Sequence, residues 1–292
     1  MNYLRSCPTE VGELYHLEVL DLERTGISNL LIIVGKLTNL TCLKVSFYPW
    51  IKHNRKTNHS NTIIPQNVIS SLLQLEELSI DVNPEDERWN VTMKDIVKEI
   101  CSLNRLHSLK LHLPEVLLLN DLRNGPSSSI NLSCMCFRFI ISRHQKRIIS
   151  RLSHESAIKF EEQESCLKYL NGEGISTEIK EVLQHAFALF LDHHLTITSL
   201  SEFGIKNMKN LRFCVLRECN EIQTIVDAGD DRNGKLQTLE YLNLQYMKNL
   251  RSIWKGPPSW MGSLFNLKVL ALHTCLNWLP FLLSIFFKNS TT

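Results

Sequence analysis

A short phrase, LxxLxL, returns along most of this chain and restricts its fold more than any other feature. The clearest copies are LEVLDLERTGI from Leu17, LEYLNLQYMKNL from Leu239 and LKVLALHTCLNWL from Leu267. Looser copies begin at Leu40 (LTCLKVSFY), Leu75 (LEELSI), Leu106 (LHSLKLHL) and Leu211 (LRFCVLRECNEI). The late copies start at 211, 239 and 267, an even step of 28 residues, while the early starts at 17, 40, 75 and 106 step by 23, 35 and 31. A fixed step of this length belongs to a stack of like units, with longer loops in two of the early ones.

The spacing has a mechanical meaning. The last two leucines of each phrase sit two apart on a strand and point to one face, and their neighbours point to the other. Stacked units bury a continuous ladder of leucines that no single unit can bury alone. The fold expected is an α/β leucine-rich-repeat solenoid. It is a curved stack with short parallel strands on the concave face and irregular loops and short helices on the convex face. Three positions after the last leucine stand Thr25, Cys219 and Cys275, small side chains able to bond backbone groups left unpaired by the turn inward.

Three regions follow from how well the phrase is kept. Residues 1–112 are amino-terminal repeats with enlarged loops, 113–205 are degenerate repeats, and 206–292 are regular repeats ending in an apolar tail. In the middle region LSCMCFRFII and AFALFLDHHLTI fit degenerate units with Met135, Phe137, Leu189 and Leu191 pointing inward, and CLKYL from Cys166 fits another. Arg143 to Ser165, basic first and acidic last, reads as a polar insertion. GPSSS at 125–129 reads as a loop, and KHNRK at 52–56 as a solvated face of the first enlarged loop. STEIKEVLQHAFAL from Ser176 offers a helix start on the convex side.

Composition narrows the function. With 32 basic and 30 acidic residues the net charge is +2, which gives no reason to expect a nucleic-acid partner. Nine cysteines, an odd number scattered without a dense framework, favour reduced thiols. The start, MNYLRSCPTEVGEL, has no cationic flank before an apolar run, so the expectation is a cytoplasmic protein whose five sequons, at Asn39, Asn58, Asn90, Asn131 and Asn289, are coincidental. Trp278 to Phe287 is apolar but is about half of the roughly 20 residues a membrane span needs.

One stretch looks catalytic. DAGDDRNGKL at 227–236 reproduces the GxxxxGK part of a phosphate-binding loop, with Gly229, Gly234 and Lys235 in place. Leu236 stands where the magnesium-holding Ser or Thr belongs, and Asp230 and Asp231 would repel phosphate. The next strand phrase starts at Leu239, which leaves no room for the helix whose N-terminus would face the anion. The acids also miss the spacing of a calcium loop. Cys134 and Cys136 have no second matched pair for zinc. The adjacent His193 and His194 diverge on a strand and are solvated on a turn. WKGPPSW at 254–260 reads as turn chemistry with packed aromatics. No catalytic residue, cofactor site or metal site is expected, and the chain is read as no enzyme.

TEVGELYHLEVLDLERTGI, NMKNLRFCVLRECNEIQTIVD and LEYLNLQYMKNLRSIWKGP resemble the repeat region of plant intracellular immune receptors, the nucleotide-binding leucine-rich-repeat disease-resistance proteins of the coiled-coil type. The resemblance covers nearly the whole chain. It departs at both ends: the sequence opens inside a repeat and closes in LNWLPFLLSIFFKNSTT, with no coiled-coil segment or nucleotide-binding domain before it. A partial gene product or an isolated repeat region is therefore expected. The resemblance implies a role in plant defence, sensing a pathogen effector or a guarded host protein and restraining a nucleotide-binding domain in cis or in trans.

What remains for function is a surface. The residues flanking the inward leucines line the concave face. The early set is Val19, Asp21, Glu23, Lys44, Glu77, Asp81, Lys110 and His112. The late set holds the expected partner-binding residues Phe190, Asp192, Phe213, Val215, Arg217, Tyr241, Asn243, Gln245 and His273, with Ala188 and Ala271 among them. Aromatics interleaved with an arginine and polar groups are the composition of protein-interaction hot spots. Phe190 and Phe213 also suit a structural ladder, stacked on each other. The expectation is a non-enzymatic protein-interaction module; the alternative is an adaptor or substrate receptor that recruits proteins for modification.

Overall fold

A computed structural model describes residues 7–48, 62–125, 130–142, 159–227, 236–255 and 264–275. The KHNRK loop, the serines of GPSSS, the insertion up to residue 158, residues 228–235 of the phosphate-loop look-alike, WKGPPSW beyond Lys255 and the apolar tail lie outside the described residues. The chain forms two compact units, Met1–Phe139 and Ile140–Thr292.

In the first unit the repeat phrases become parallel strands: β1 (Val19–Leu22), β2 (Cys42–Phe47), β3 (Glu77–Val82) and β4 (Ser108–Leu113), each paired with the next. The register aligns Leu20 with Leu43, Leu43 with Leu78, and Leu78 with Leu109. One file further, Leu22, Val45, Ile80 and Leu111 align in the same way. All eight side chains are buried. A one-residue slip anywhere would turn a strand's leucines to the opposite face, so the core itself holds the register. β5 (Cys136–Ser142) starts where the Cys136 amide donates to the His107 carbonyl at 2.9 Å.

The 31-residue step between the third and fourth phrases holds a helix, α1 (Glu87–Cys101), where a longer loop was expected. Its N-terminus is capped by Asp86, whose carboxylate accepts from the Arg88 amide at 3.1 Å. Trp89, Met93, Ile96, Val97 and Ile100 fall on one face at helical spacing and are buried. The Trp89 indole donates to the His112 carbonyl at 3.1 Å, tying the helix to β4. A shorter helix, α2 (Leu117–Asn124), packs beside it, with the Cys101 thiol donating to the Leu122 carbonyl at 3.5 Å.

The second unit contains β6 (Cys166–Leu170), α3 (Thr177–Leu183), β7 (Ala188–Asp192), β8 (Phe213–Arg217), β9 (Thr224–Asp227), β10 (Tyr241–Gln245), β11 (Ser252–Lys255) and β12 (Val269–His273). β6, β7, β8, β10 and β12 pair in parallel in that order. β9 and β11 form a separate parallel pair, bridged by the Thr224 and Ser252 hydroxyls at 2.9 Å. The helix expected after Ser176 is α3, and the Ser176 hydroxyl accepts from the Ile179 amide at 3.2 Å. Leu167, Tyr169, Leu189, Leu191, Cys214, Leu216, Leu242 and Leu244 form the inner ladder, all buried.

Each strand ends in a corner. The residue after β6, β7, β8, β10 and β12 is Asn171, His193, Glu218, Tyr246 and Thr274, and each has φ between 51° and 55°. None is glycine, so every corner carries the steric cost of a side chain in the left-handed region. The backbone compensates in one repeated bond. The amides of Asn171, His193, Glu218 and Tyr246 donate to the carbonyls of Asp192, Arg217, Gln245 and His273 at 2.8–2.9 Å, each the last strand residue of the next repeat. Just inside the corners, the Thr25 hydroxyl donates to the Leu22 carbonyl at 2.8 Å, and the Cys219 thiol to the Arg217 carbonyl at 3.3 Å. Cys275 does the same to His273 at 3.7 Å. The small side chains after the last leucine thus satisfy corner carbonyls, as their position implied.

A second repeated bond lies before the strands. Asn39, Asn210 and Asn266 each precede the first leucine of a phrase and Asn249 precedes Leu250 ahead of β11, and each side-chain amide donates to a carbonyl of the repeat before, on Tyr15, Gln184, Gln237 and Asn220 respectively. The architecture is a leucine-rich-repeat α/β stack in both units.

Candidate protein-interaction face

The face opposite the leucine ladder is set by the same register. In the second unit it forms three rows across the strands. The first holds Cys166, Ala188, Phe213, Tyr241 and Val269; the second Lys168, Phe190, Val215, Asn243 and Ala271; the third Leu170, Asp192, Arg217, Gln245 and His273. All nine expected partner-binding residues therefore share one face and stand in adjacent positions.

Their exposure differs from that of an open groove. Phe190, Asp192, Phe213, Val215, Asn243 and Gln245 are buried, Arg217 and Tyr241 are half-buried, and His273 is exposed. β7 is buried at all five positions, as happens when a parallel strand is covered on both faces. Phe160, from the acidic end of the insertion, is buried with Cys166, Ala188, Phe190, Phe213 and Val215 in a second apolar cluster distinct from the leucine ladder. Its ring meets Phe190 edge-on at 6.4 Å and Phe213 edge-on at 5.9 Å. Phe213 stacks on Tyr241 at 4.2 Å with rings 3° apart, so the ladder runs through Phe213 and Tyr241, with Phe160 bridging to Phe190.

Two cations border the cluster: the Lys159 ammonium lies 5.6 Å from the Tyr241 ring, and that of Lys168 lies 5.1 Å from the Phe160 ring. The turn carrying Phe160 is pinned from below, because the Cys166 thiol donates to the carbonyls of Phe160 at 3.2 Å and Gln163 at 3.3 Å. The polar side chains along β10 are knit together as well. Gln245 donates to Asn243 at 3.3 Å, Asn243 to the Tyr241 hydroxyl at 3.4 Å, and the Arg217 guanidinium lies 3.4 Å from the Glu218 carboxylate and 5.8 Å from the Tyr246 ring.

The corresponding face of the first unit is charged and more open. Lys44 pairs with Glu77 at 2.9 Å, and Lys110 lies 3.8 Å from both Glu23 and Asp81. Ser79 donates to Glu23 at 2.7 Å and Tyr48 to Asp81 at 3.0 Å. Partial burial pushes the Glu77 carboxyl up, but its bonds from Lys44 and Cys42 outweigh this and hold it below the usual range. Burial and the neighbouring Glu77 push the Cys42 thiol up to about 11. His112, expected on this face, is buried.

His194, expected to be solvated, is buried. Its ring stands between Tyr169 and Phe203 at 5.4 and 5.9 Å, with Nε2 3.1 Å from the Gly174 carbonyl. The corner at His193 turns the first histidine out and the second in, which a flat turn would not do. Among the described residues no group of three or more His, Cys, Asp or Glu is gathered as a metal site, and no helix is long and apolar enough to cross a membrane.

Residues 2–136 match the family model described as a leucine-rich repeat region. This stretch is a leucine-rich-repeat region. Solved structures similar to the whole chain include a leucine-rich-repeat protein of Leptospira interrogans, at 18% identity and TM-score 0.46, over 94% of this chain and 65% of that one. The plant peptide hormone receptor RGFR1 in complex with RGF2 matches at 14% identity and TM-score 0.41, over 92% of this chain and 42% of that one. The functional domain of InlJ from Listeria monocytogenes, described as including a cysteine ladder, matches at 14% identity and TM-score 0.38, over 93% and 61%. This chain thus spans less than two thirds of the length of each of them. A search of curated proteins finds no match.

Proposed function

We propose that the chain is a non-enzymatic protein-interaction module whose outer face on β7, β8, β10 and β12 binds a protein partner. The observation that carries this reading is that the face already holds a protein side chain: Phe160, foreign to the strands, is packed edge-on against Phe190 and Phe213. Aromatic anchors surrounded by a polar rim are where binding energy concentrates, and Arg217, Gln245 and His273 supply such a rim. Stacked repeats supply the extended surface that this use needs.

The finer reading follows the wording of the repeats. We infer a recognition or regulatory repeat region of a plant immune receptor, acting in the cytoplasm in defence. Its partner would be a pathogen effector or a guarded host protein, and it would also restrain a nucleotide-binding domain in cis or in trans. The support is the resemblance of the repeat phrases to that receptor class together with the leucine-rich-repeat fold.

The test uses the rim, where substitution spares the cluster. Arg217, Gln245 and His273 are changed together to alanine, and proximity labelling in plant cells compares this variant with the parent chain, with matched thermal unfolding as a folding control. A partner labelled by the parent and lost with the triple variant supports the reading. Labelling unchanged by the triple variant places the binding face elsewhere.

A further inference from the structure

The second apolar cluster is not needed to close the repeats. The leucine ladder of β6 to β10 is complete on the other side of the sheet, and Phe160 enters from outside the strands, on the helical residues 159–161 and the turn that follows them. Glu161, Glu162 and Glu164 are exposed. The segment is anchored at its carboxyl end, where the Cys166 thiol donates to the Phe160 and Gln163 carbonyls and the Ser165 carbonyl accepts the amides of Phe187 and Ala188. Next to the ring, Lys159 supplies the cation over Tyr241. A lysine followed by a phenylalanine therefore fills a socket made of Phe190, Phe213, Val215 and the Tyr241 edge.

We propose that this socket is the docking site for an aromatic side chain flanked by a basic residue on a protein partner, and that the chain's own Lys159 and Phe160 occupy it until that partner displaces them. The proposal rests on the interaction-module reading and names the partner's chemistry. Self-occupancy follows from proximity, because a tethered ligand competes at high effective concentration. A partner then meets a site open only part of the time, and its apparent affinity falls by that fraction.

Cys166 and Cys214 make the opening measurable in the intact chain. Both are buried thiols on β6 and β8, but Cys166 lies under the Phe160 turn whereas Cys214 faces the leucine ladder. If the turn opens by itself, a thiol reagent reaches Cys166 without global unfolding. Mass-spectrometric labelling of the parent chain is expected to modify Cys166 at least about tenfold faster than Cys214, since local opening is cheaper than global unfolding. Phe160→Ala is expected to speed Cys166 further and leave Cys214 unchanged.

The free peptide of residues 159–165, at millimolar concentration, is then expected to restore protection of Cys166 in Phe160→Ala, and the same peptide with alanine for its phenylalanine is not. Cys166 and Cys214 reacting at one rate in the parent chain would show the cluster to be plain core and overturn the proposal, whether or not the variant folds. Equal protection by both peptides, or by neither, would also overturn it. A partner lost on alanine substitution of Arg217, Gln245 and His273, yet bound no more tightly by Phe160→Ala, would sink the socket while leaving the interaction module standing.

Discussion

Glu99 on α1 reaches back to Asn67: its Oε1 accepts the Asn67 amide at 2.7 Å, while Oε2 accepts the amides of Ile69 and Ser70 at 3.0 and 3.1 Å. One buried carboxylate thus satisfies three backbone donors in the loop before β3, where Asn67 sits at φ 65°. Charge-assisted bonds of this kind are the strong ones, and an orphaned buried amide costs more than a lost bond. Glu99→Ala is expected to destabilise the first unit by about 2–4 kcal/mol, with Glu99→Gln in between because it keeps one acceptor oxygen. Denaturant midpoints check the order, and Glu99→Ala unfolding with the parent would refute it.

The corners allow a gain instead of a loss. Thr274 is β-branched at φ 53°, a conformation that glycine adopts without steric cost. Thr274→Gly is expected to stabilise the second unit by about 1 kcal/mol, the order of the left-handed penalty for a side chain. The same test at Gly172 has the opposite sign, because an added Cβ would lie 2.5 Å from the Tyr169 ring and 2.8 Å from His194. Melting temperatures of the two variants should move in opposite directions.

Burial pushes the His194 pKa below its ordinary value, against the smaller upward pull of the Gly174 carbonyl and the Glu202 and Glu173 carboxylates. The unfolded chain therefore takes up a proton at a pH where the folded chain does not. The stability contribution of this histidine is present above its unfolded pKa of about 6.5 and is lost as pH falls below it, with a limiting slope of about 1.4 kcal/mol per pH unit. Stability measured from pH 7.5 to 5 should decline, and His194→Gln should flatten the decline. An unchanged slope in the variant would remove His194 from the account.

Cys219 is held by two carbonyls, and burial pushes its thiol up to about 12. It should resist alkylation at pH 8 for as long as the chain is folded. Cys219→Ser keeps a donor of similar size and is expected to cost less than Cys219→Ala, which removes the second donor to an Arg217 carbonyl already bonded by the His193 amide, for up to about 1 kcal/mol. Equal stability of the two variants would show that the thiol is only filler.

Much of the fold was legible because the leucine ladder and the strand period are the same fact. A core residue must recur every second position within a strand and once per repeat along the chain, so Leu20, Leu43, Leu78, Leu109, Leu189 and Leu242 could be placed from spacing alone. α1 was missed although Asp86 caps it and Trp89, Met93, Ile96 and Ile100 keep helical spacing, since a search at period two passes over a period of 3.6. The nine site residues do share a face. Their burial was not legible, because it depends on Phe160, a lone aromatic in a charged stretch whose contact with β7 and β8 leaves no local trace. The corners were hidden for another reason: Asn171, His193, Glu218, Tyr246 and Thr274 stand where glycine would have announced a left-handed turn.

The corner bonds of the second unit all run in one direction along the chain. Each of the four amides depends on the repeat that follows it, while the repeat before supplies it nothing at that position. At the strand entries the direction reverses: the amides of Arg212 and Phe213 donate to the Phe187 carbonyl, those of Glu240 and Tyr241 to the Arg212 carbonyl, and those of Lys268 and Val269 to the Glu240 carbonyl. Losing a later repeat therefore strands a donor at a strained corner, while losing an earlier one strands two donors at the next strand's entry, and a stranded donor costs more than a freed carbonyl, which water satisfies more cheaply. Neighbouring repeats are thus buttoned from both sides, so protease or hydrogen-exchange protection in this unit should be shared among them and not shed one repeat at a time from a single end.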